Sequence, residues 1–352
     1  MNFSFKKSTK GQIGIAFQEN GVTIGQCSWK QGMYSHPEVK YIEINPGEIT
    51  AECWRANINK SSMIGTDCVL SLPPSLVHHQ VLRLPNMSIE ELKEAAAWEM
   101  VDRLGVERTE LQLDAIPIGS GGDVLAIAIF KSSLSELLDP LYCAGLRPTS
   151  IEPHCVSVAR TLSLLHRRQS DQSIVRSVFD FGLHDSAFMV LAGDSMVFYK
   201  HLEHSGTQLI ESIASQTDVT IEQAKKMLLA SQEDCEDGDI SNAVRGATRS
   251  IHESIATDAM KCIRHYGVTN RGPLSTQLIV TGSSGWNTHL ASALTAACSQ
   301  EVVIESSVTH IQPLSSSVTN ENNWHIALGA SLASMLQQRQ RRGSDCTIKD
   351  AA

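Results

Sequence analysis

The chain opens on a period-two pattern. Residues 12–17 (QIGIAF) and 22–29 are strand-like, and Gln18-Glu19-Asn20-Gly21 separates them. Asn-Gly between two β-rich runs predicts a hairpin, because its tight turn takes residues that tolerate positive φ. The pattern continues with a strand near 41–44, a helix over 48–61 and an apolar strand, CVLSL at 68–72, stopped by Pro73-Pro74. From Leu76 the character changes. A strand over 77–84 leads to Ser88, and Glu91 three residues later completes a capping box that opens a helix over Ile89–Leu104. Strands at Leu111–Ile118 and 124–130 flank Gly119–Gly122, and a helix over 133–144 stops at Gly145. Residues 75–145 therefore read as one strand–helix–strand–strand–helix unit.

A helix over 154–167 and the polar linker 168–173 follow, and then the opening pattern returns. Residues 177–182, 186–192 and 195–200 are strand-like, with turns at 183–185 and Gly193-Asp194. An echo at half the chain length is not a short repeat array; it predicts two lobes, each led by a β-hairpin. Helices are expected over 207–216, 220–230 and 240–266, with the acidic loop 232–239 between the last two. QLIVT (Gln277–Thr281) runs straight into Gly282-Ser283-Ser284-Gly285, then a helix over 286–297, a strand at Glu301–Ile304 and a helix over 324–338. The predicted division is a first lobe over 10–170 with its insert at 75–145, a second lobe over 174–338, and a frayed tail at 339–352.

Composition narrows the functional classes. At 352 residues the length suits about two domains, and 42% hydrophobic with 19% charged residues is a folded composition. The excess of 38 Asp+Glu over 29 Lys+Arg, net −9, argues against a general nucleic-acid binder, which needs a basic face. No apolar run is long enough to span a membrane, and the N-terminus lacks the pattern of a signal peptide. Nine cysteines without a CxxC pair read as reduced, mostly buried residues of a cytoplasmic protein.

Two passages carry candidate chemistry. Strand–Gly282-Ser283-Ser284-Gly285–helix offers close backbone approach and a helix N-terminus for an anion, yet the same passage is often a plain βα turn, and no GxxxxGK[ST] is present. In Asp180-Phe181-Gly182-Leu183-His184-Asp185-Ser186, neighbours in sequence cannot converge as a triad, and the kinase reading lacks a His-Arg-Asp loop. What remains is a hairpin turn placing Asp180, Gly182 and Ser186 toward a phosphate or Mg²⁺, or an ordinary polar turn. His78 and His79 in a strand point to opposite faces and cannot share a metal. The acidic loop departs from a calcium loop at Cys235 and Val244.

Several stretches, in order, resemble the PilM family of type IV pilus assembly proteins, relatives of the cell-division protein FtsA. Leu84-Pro85-Asn86-Met87-Ser88-Ile89-Glu90-Glu91-Leu92 with Ala97-Trp98-Glu99 is similar to that family's strand-to-helix signature. Ala144-Gly145-Leu146-Arg147-Pro148 and Ile151-Glu152-Pro153 resemble the exit from the same subdomain. Phe179-Asp180-Phe181-Gly182 with Ser186 resembles its second phosphate hairpin, and Gly206 the glycine before a helix. Val280 to Gly285 resembles the adenosine-side loop, and Ala327-Leu328-Gly329-Ala330 the closing helix. The resemblance implies an α/β, two-lobed actin-like (ribonuclease H-like) ATPase fold with an inserted α+β subdomain in the first lobe. It implies ATP and Mg²⁺ as ligands, nucleotide contacts at Asp180, Gly182, Ser186, Gly206, Gly282, Ser283 and Gly285, and Asp180 as the metal-side carboxylate.

The departures are in the first lobe and the adenine helix. Ala16 and Gln18 stand where the family has Asp and Gly in the first hairpin, and Ala224-Lys225 replaces an Ala-Glu pair. The resemblance therefore implies a cytoplasmic scaffold of a pilus or related secretion machine with weak or absent ATP hydrolysis. Its implied partner is the N-terminal peptide of an inner-membrane assembly protein, and its membrane contact runs only through that partner. An active ATPase or small-molecule kinase and an FtsA-like filament protein are the alternatives.

Overall fold

A computed structural model describes residues 9–18, 20–30, 33–34, 38–85, 87–119, 122–165, 171, 173–231, 238–270, 275–283, 288–298, 300–304 and 324–335. The opening pattern becomes β1 (Thr9–Lys10), β2 (Ile13–Gln18), β3 (Gly21–Gln26), β4 (Ser28–Lys30), β5 (Met33–Tyr34) and β6 (Glu38–Ile42). Gln18 pairs with Gly21, so the tip of the first hairpin is two residues long. Helix α1 (Ala51–Asn59) is capped by Thr50, whose hydroxyl accepts from the Cys53 amide, and β7 (Asp67–Leu72) follows. Strands β1, β4 and β5 form a small sheet of their own.

The inserted stretch comprises β8 (His78–Arg83), α2 (Ile89–Leu104), β9 (Leu111–Ile118), β10 (Asp123–Phe130) and α3 (Lys131–Cys143). Helix α2 has the expected bounds because both ends are written in the sequence. Ser88 and Glu91 form the reciprocal capping box, and Gly105 takes the left-handed conformation at φ 65°. The sheet β8–β10–β9 is antiparallel, and alternation splits its faces. Val124, Ala126 and Ala128 pack with Ala96 and Met100 of α2, whereas Leu125 and Ile118 pack toward the second lobe.

Strand β11 (Arg147–Pro153) lies where no strand was expected, since Pro148 and Pro153 argue against one. It is tolerated because β11 is the edge of its sheet and the register slips between Pro148 and Ser150. Helix α4 (His154–Leu162) ends earlier than expected and passes into a 3-10 turn at Ser163–Leu165.

The second half builds β12 (Val175–Phe181), β13 (Ser186–Ala192), β14 (Ser195–Leu202), α5 (Gly206–Thr217), α6 (Ile221–Ala230), α7 (Gly238–Asn270), β15 (Gln277–Thr281), α8 (Thr288–Ala297), β16 (Glu301–Ile304) and α9 (Trp324–Ser331). Its sheet order, β14–β13–β12–β15–β16, repeats the first lobe's β6–β3–β2–β7–β11 strand for strand. In both sheets a three-stranded antiparallel meander leads into two parallel strands.

The lobes exchange helices. Helix α9, at the end of the second lobe, packs on β2, β3 and β7 of the first, and α4 reaches β13 of the second. The two helices also pack on each other, closely enough that a Cβ at Gly329 would meet the Ser157 carbonyl at 2.0 Å. Arg160 ties this crossing together: it forms a bidentate pair with Glu152, one bond at 2.7 Å, and donates to the Gly329 carbonyl at 2.9 Å.

Candidate functional site in the cleft between the lobes

The C-terminal ends of β12 and β15 lie side by side, with Asp180 paired to Thr281. Val175, Phe179 and Phe181 anchor β12 in the second lobe's core, and Asp180 is the carboxylate next to its end. Burial, with the nearby Asp185 charge adding to it, pushes the Asp180 carboxyl up to about 7. Two glycines make the close packing here possible. Gly282 has φ +96°, and a Cβ on it would meet the Phe181 carbonyl at 2.4 Å and Asp180 Oδ1 at 2.7 Å. A Cβ on Gly182 would meet the Asp185 carbonyl at 2.6 Å.

In front of these residues is a cleft of about 800 Å³ between the lobes. Asp180, Gly182 and Ser283 line it; the Leu183 amide donates to Ser283 Oγ at 3.1 Å and fixes the two turns together. Gly282 stands directly behind, against Asp180. Gly206 and Ser186 support the turn without lining the cleft. The Gly206 amide donates to the Gly182 carbonyl at 3.0 Å, and Ser186 Oγ donates to the His204 carbonyl at 2.7 Å. Gly285 lies outside the described residues, as do 232–237 of the acidic loop and the tail from 336.

Sequence reasoning missed His154. It is the first residue of α4, lines the cleft, and is fully buried, which pushes its imidazole down to about 4. Its Nε2 has no hydrogen-bond partner among the described residues. Lys225 and Leu228 of α6 also line the cleft, with Glu222.

No protein-family model matches the chain, and no curated protein matches it. Solved structures do. A chain of the PilM–PilN type IV pilus biogenesis complex is 18% identical, over 92% of this chain and 98% of that one, with a TM-score of 0.68. The fold is a PilM-like, actin-like ATPase fold. Ethanolamine utilization protein EutJ from Carboxydothermus hydrogenoformans is 13% identical over 91% of this chain and 89% of its own, with a TM-score of 0.50.

Within that PilM-like fold the internal repeat identifies equivalent positions. Ala16 pairs with Ser71 across β2–β7, as Asp180 pairs with Thr281 across β12–β15. Ala16 is thus the first lobe's counterpart of Asp180, and it is a fully buried methyl group. The cleft lining holds Glu43, Glu48, Asp180, Asp185 and Glu222 against one lysine, Lys225. Among the described residues no group of three or more His, Cys, Asp or Glu side chains is placed to hold a metal alone. The donor set suits a divalent cation that arrives already on a polyphosphate, with Asp180 as its carboxylate, and supplies little positive charge for a free nucleotide. The second lobe fits such a ligand; the first lobe, with Ala16, does not. His79 contacts Tyr199 and His201 while His78 contacts Phe130, so the pair splits across the sheet as the alternation expects.

Proposed function

We propose that this chain is a cytoplasmic, actin-like scaffold of type IV pilus or related secretion assembly, with a degenerate ATP site. It comprises a first lobe over 10–170 carrying an insert at 75–145 and a second lobe over 174–338. It docks on the N-terminal peptide of an inner-membrane assembly protein and reaches the membrane through that partner. The observation that carries this reading is the fold's extent: the likeness to the PilM–PilN complex runs through both lobes and the insert, and nearly all of that relative is covered. No helix among the described residues is long and apolar enough to cross a membrane. The retained Asp180 turn opposite Ala16 supports weak nucleotide binding through Asp180, Gly182, Ser283 and the turns behind them, without efficient hydrolysis.

The test has two arms. Co-expression with inner-membrane proteins encoded beside it, each carrying a short cytoplasmic N-terminal peptide, should retain one of them on the purified chain. Deletion of that peptide should release it. Retention of none sinks the scaffold reading. Incubation with Mg-ATP should give no phosphate release above the level of an Asp180→Ala variant; steady turnover abolished by that substitution would establish the active ATPase instead.

A further inference from the structure

A second cavity, of about 730 Å³, lies away from the nucleotide cleft, where the insert meets the second lobe. Most of its lining comes from β8, β14 and the last turns of α7, with Ile118 of β9 and Asp123 of β10 completing it. Among the described residues strand β14 ends its sheet and β8 ends the sheet of the insert, so each presents a row of backbone groups with no neighbouring described strand. The start of the β14 edge is already used. The register slips between Val190 and Leu191, and the Gly119 amide donates to the Met196 carbonyl at 3.2 Å beside that irregularity. Phe198 to His201, further along, open into the cavity.

Charge distinguishes this groove from the rest of an acidic chain. Its lining carries Arg83, Lys200 and Lys261 against a single carboxylate, Asp123. Lys261 is held by Asp258 at 2.8 Å, but Arg83 and Lys200 make no ion pair among the described residues. A lysine that only protects a strand edge needs no company. Here cations from three separate elements converge on one cavity. Burial keeps His79 neutral near pH 7; its ring meets Tyr199 edge-on at 5.7 Å on one face of β14, while Phe198 lies on the other.

We propose that this groove takes an extended, acidic segment of a partner protein, which adds as a strand along the free edge of β14 between Phe198 and Leu202. Main-chain hydrogen bonds supply affinity, and alternate acidic side chains meet Arg83 on one wall and Lys200 with Lys261 on the other. The groove shares no lining residue with the cleft of the proposed nucleotide site. The proposal does not depend on the function assigned there.

Fluorescence anisotropy of the full chain with a fluorescein-labelled peptide of repeated Glu-Glu-Val-Val, about eight residues long, which places glutamates on both faces of a strand, tests this. Saturable binding is expected, weakening as salt rises from ~0.05 to ~0.3 M. Arg83→Glu combined with Lys200→Glu should weaken it about tenfold or more with an unchanged melting temperature, both side chains being exposed. A peptide with N-methylated backbone amides should fail to bind. Absence of saturable binding, or binding indifferent to the double substitution, overturns the proposal. So does displacement by inorganic pyrophosphate combined with full binding of the N-methylated peptide, which would make the groove a small-anion pocket.

Discussion

Asp180 carries its burial as a pH dependence. Its folded-state value of about 7 lies above the 3.8 of a free aspartate, so the folded protein holds a proton that the unfolded chain releases. The associated stability is fully present below pH ~4 and is lost as pH rises through about 7, since stability falls wherever the native state binds more protons. Three units correspond to at most about 4 kcal/mol. Asp180→Asn removes the titration. Urea denaturation of both proteins should show the variant gaining on the wild type by a few kcal/mol between pH 5 and pH 8. The buried histidines titrate identically in both and cancel. A constant difference across that range would mean that water reaches Asp180 in the folded protein. Of the cleft residues, Asp180, Gly182 and Ser283 were legible because turn chemistry and strand ends are local signals. His154 was not, because a buried histidine at a helix start is written like any other polar residue, and only the fold shows the cleft beside it.

At the scale of elements, legibility followed the same division between local and distant causes. Helix α2 and strands β9, β15 and β16 have the expected bounds, since capping boxes, glycine stops and apolar runs sit within each segment. Strand β11 was hidden because its prolines are acceptable only at a sheet edge, and edge position is a property of the assembled sheet. The crossing of α4 over α9 was equally invisible. It depends on Gly329, where even a methyl group would overlap the Ser157 carbonyl and press on Thr161 Oγ1 at 2.6 Å. Gly329→Ala should therefore cost about 1–3 kcal/mol or more, although alanine is the better helix former. Arg160→Ala should cost about 3–5 kcal/mol, because it strands the buried Glu152 carboxylate. Chemical denaturation of the two variants checks both values. A stabilised Gly329→Ala protein would mean that the helices stand further apart.

The whole molecule inherits its cooperativity from that helix exchange. The first lobe's central strand contributes Ala16 to a cluster that also contains Val158 of α4, Val178 and Ile279 of the second lobe, and Ile326 and Ala327 of α9. A second cluster joins Cys27 and Val39 of the first lobe to Trp324, Leu328 and Leu332 around α9. The first lobe thus cannot bury its own sheet alone, because α9, which covers β2, β3 and β7, comes from the other end of the chain. Two lobes were readable from the repeated hairpins, but a repeat in sequence is equally compatible with two independent domains. The distinction lies in contacts between residues about 300 positions apart, as where Ser331 Oγ donates to the Gln12 carbonyl at 2.6 Å. Scanning calorimetry of the full chain should accordingly give one main transition, with calorimetric and van't Hoff enthalpies in agreement for the two lobes. The insert has a small core of its own, around Met100, Val124 and Ala126, so a smaller shoulder belongs to it. A fragment ending at residue 170 should be expanded and aggregation-prone, since it lacks α9 and leaves the face of β2 and β3 bare. A cooperatively melting fragment, or two equal transitions in the full chain, would separate the lobes. The interlobe clusters would then contribute little to stability.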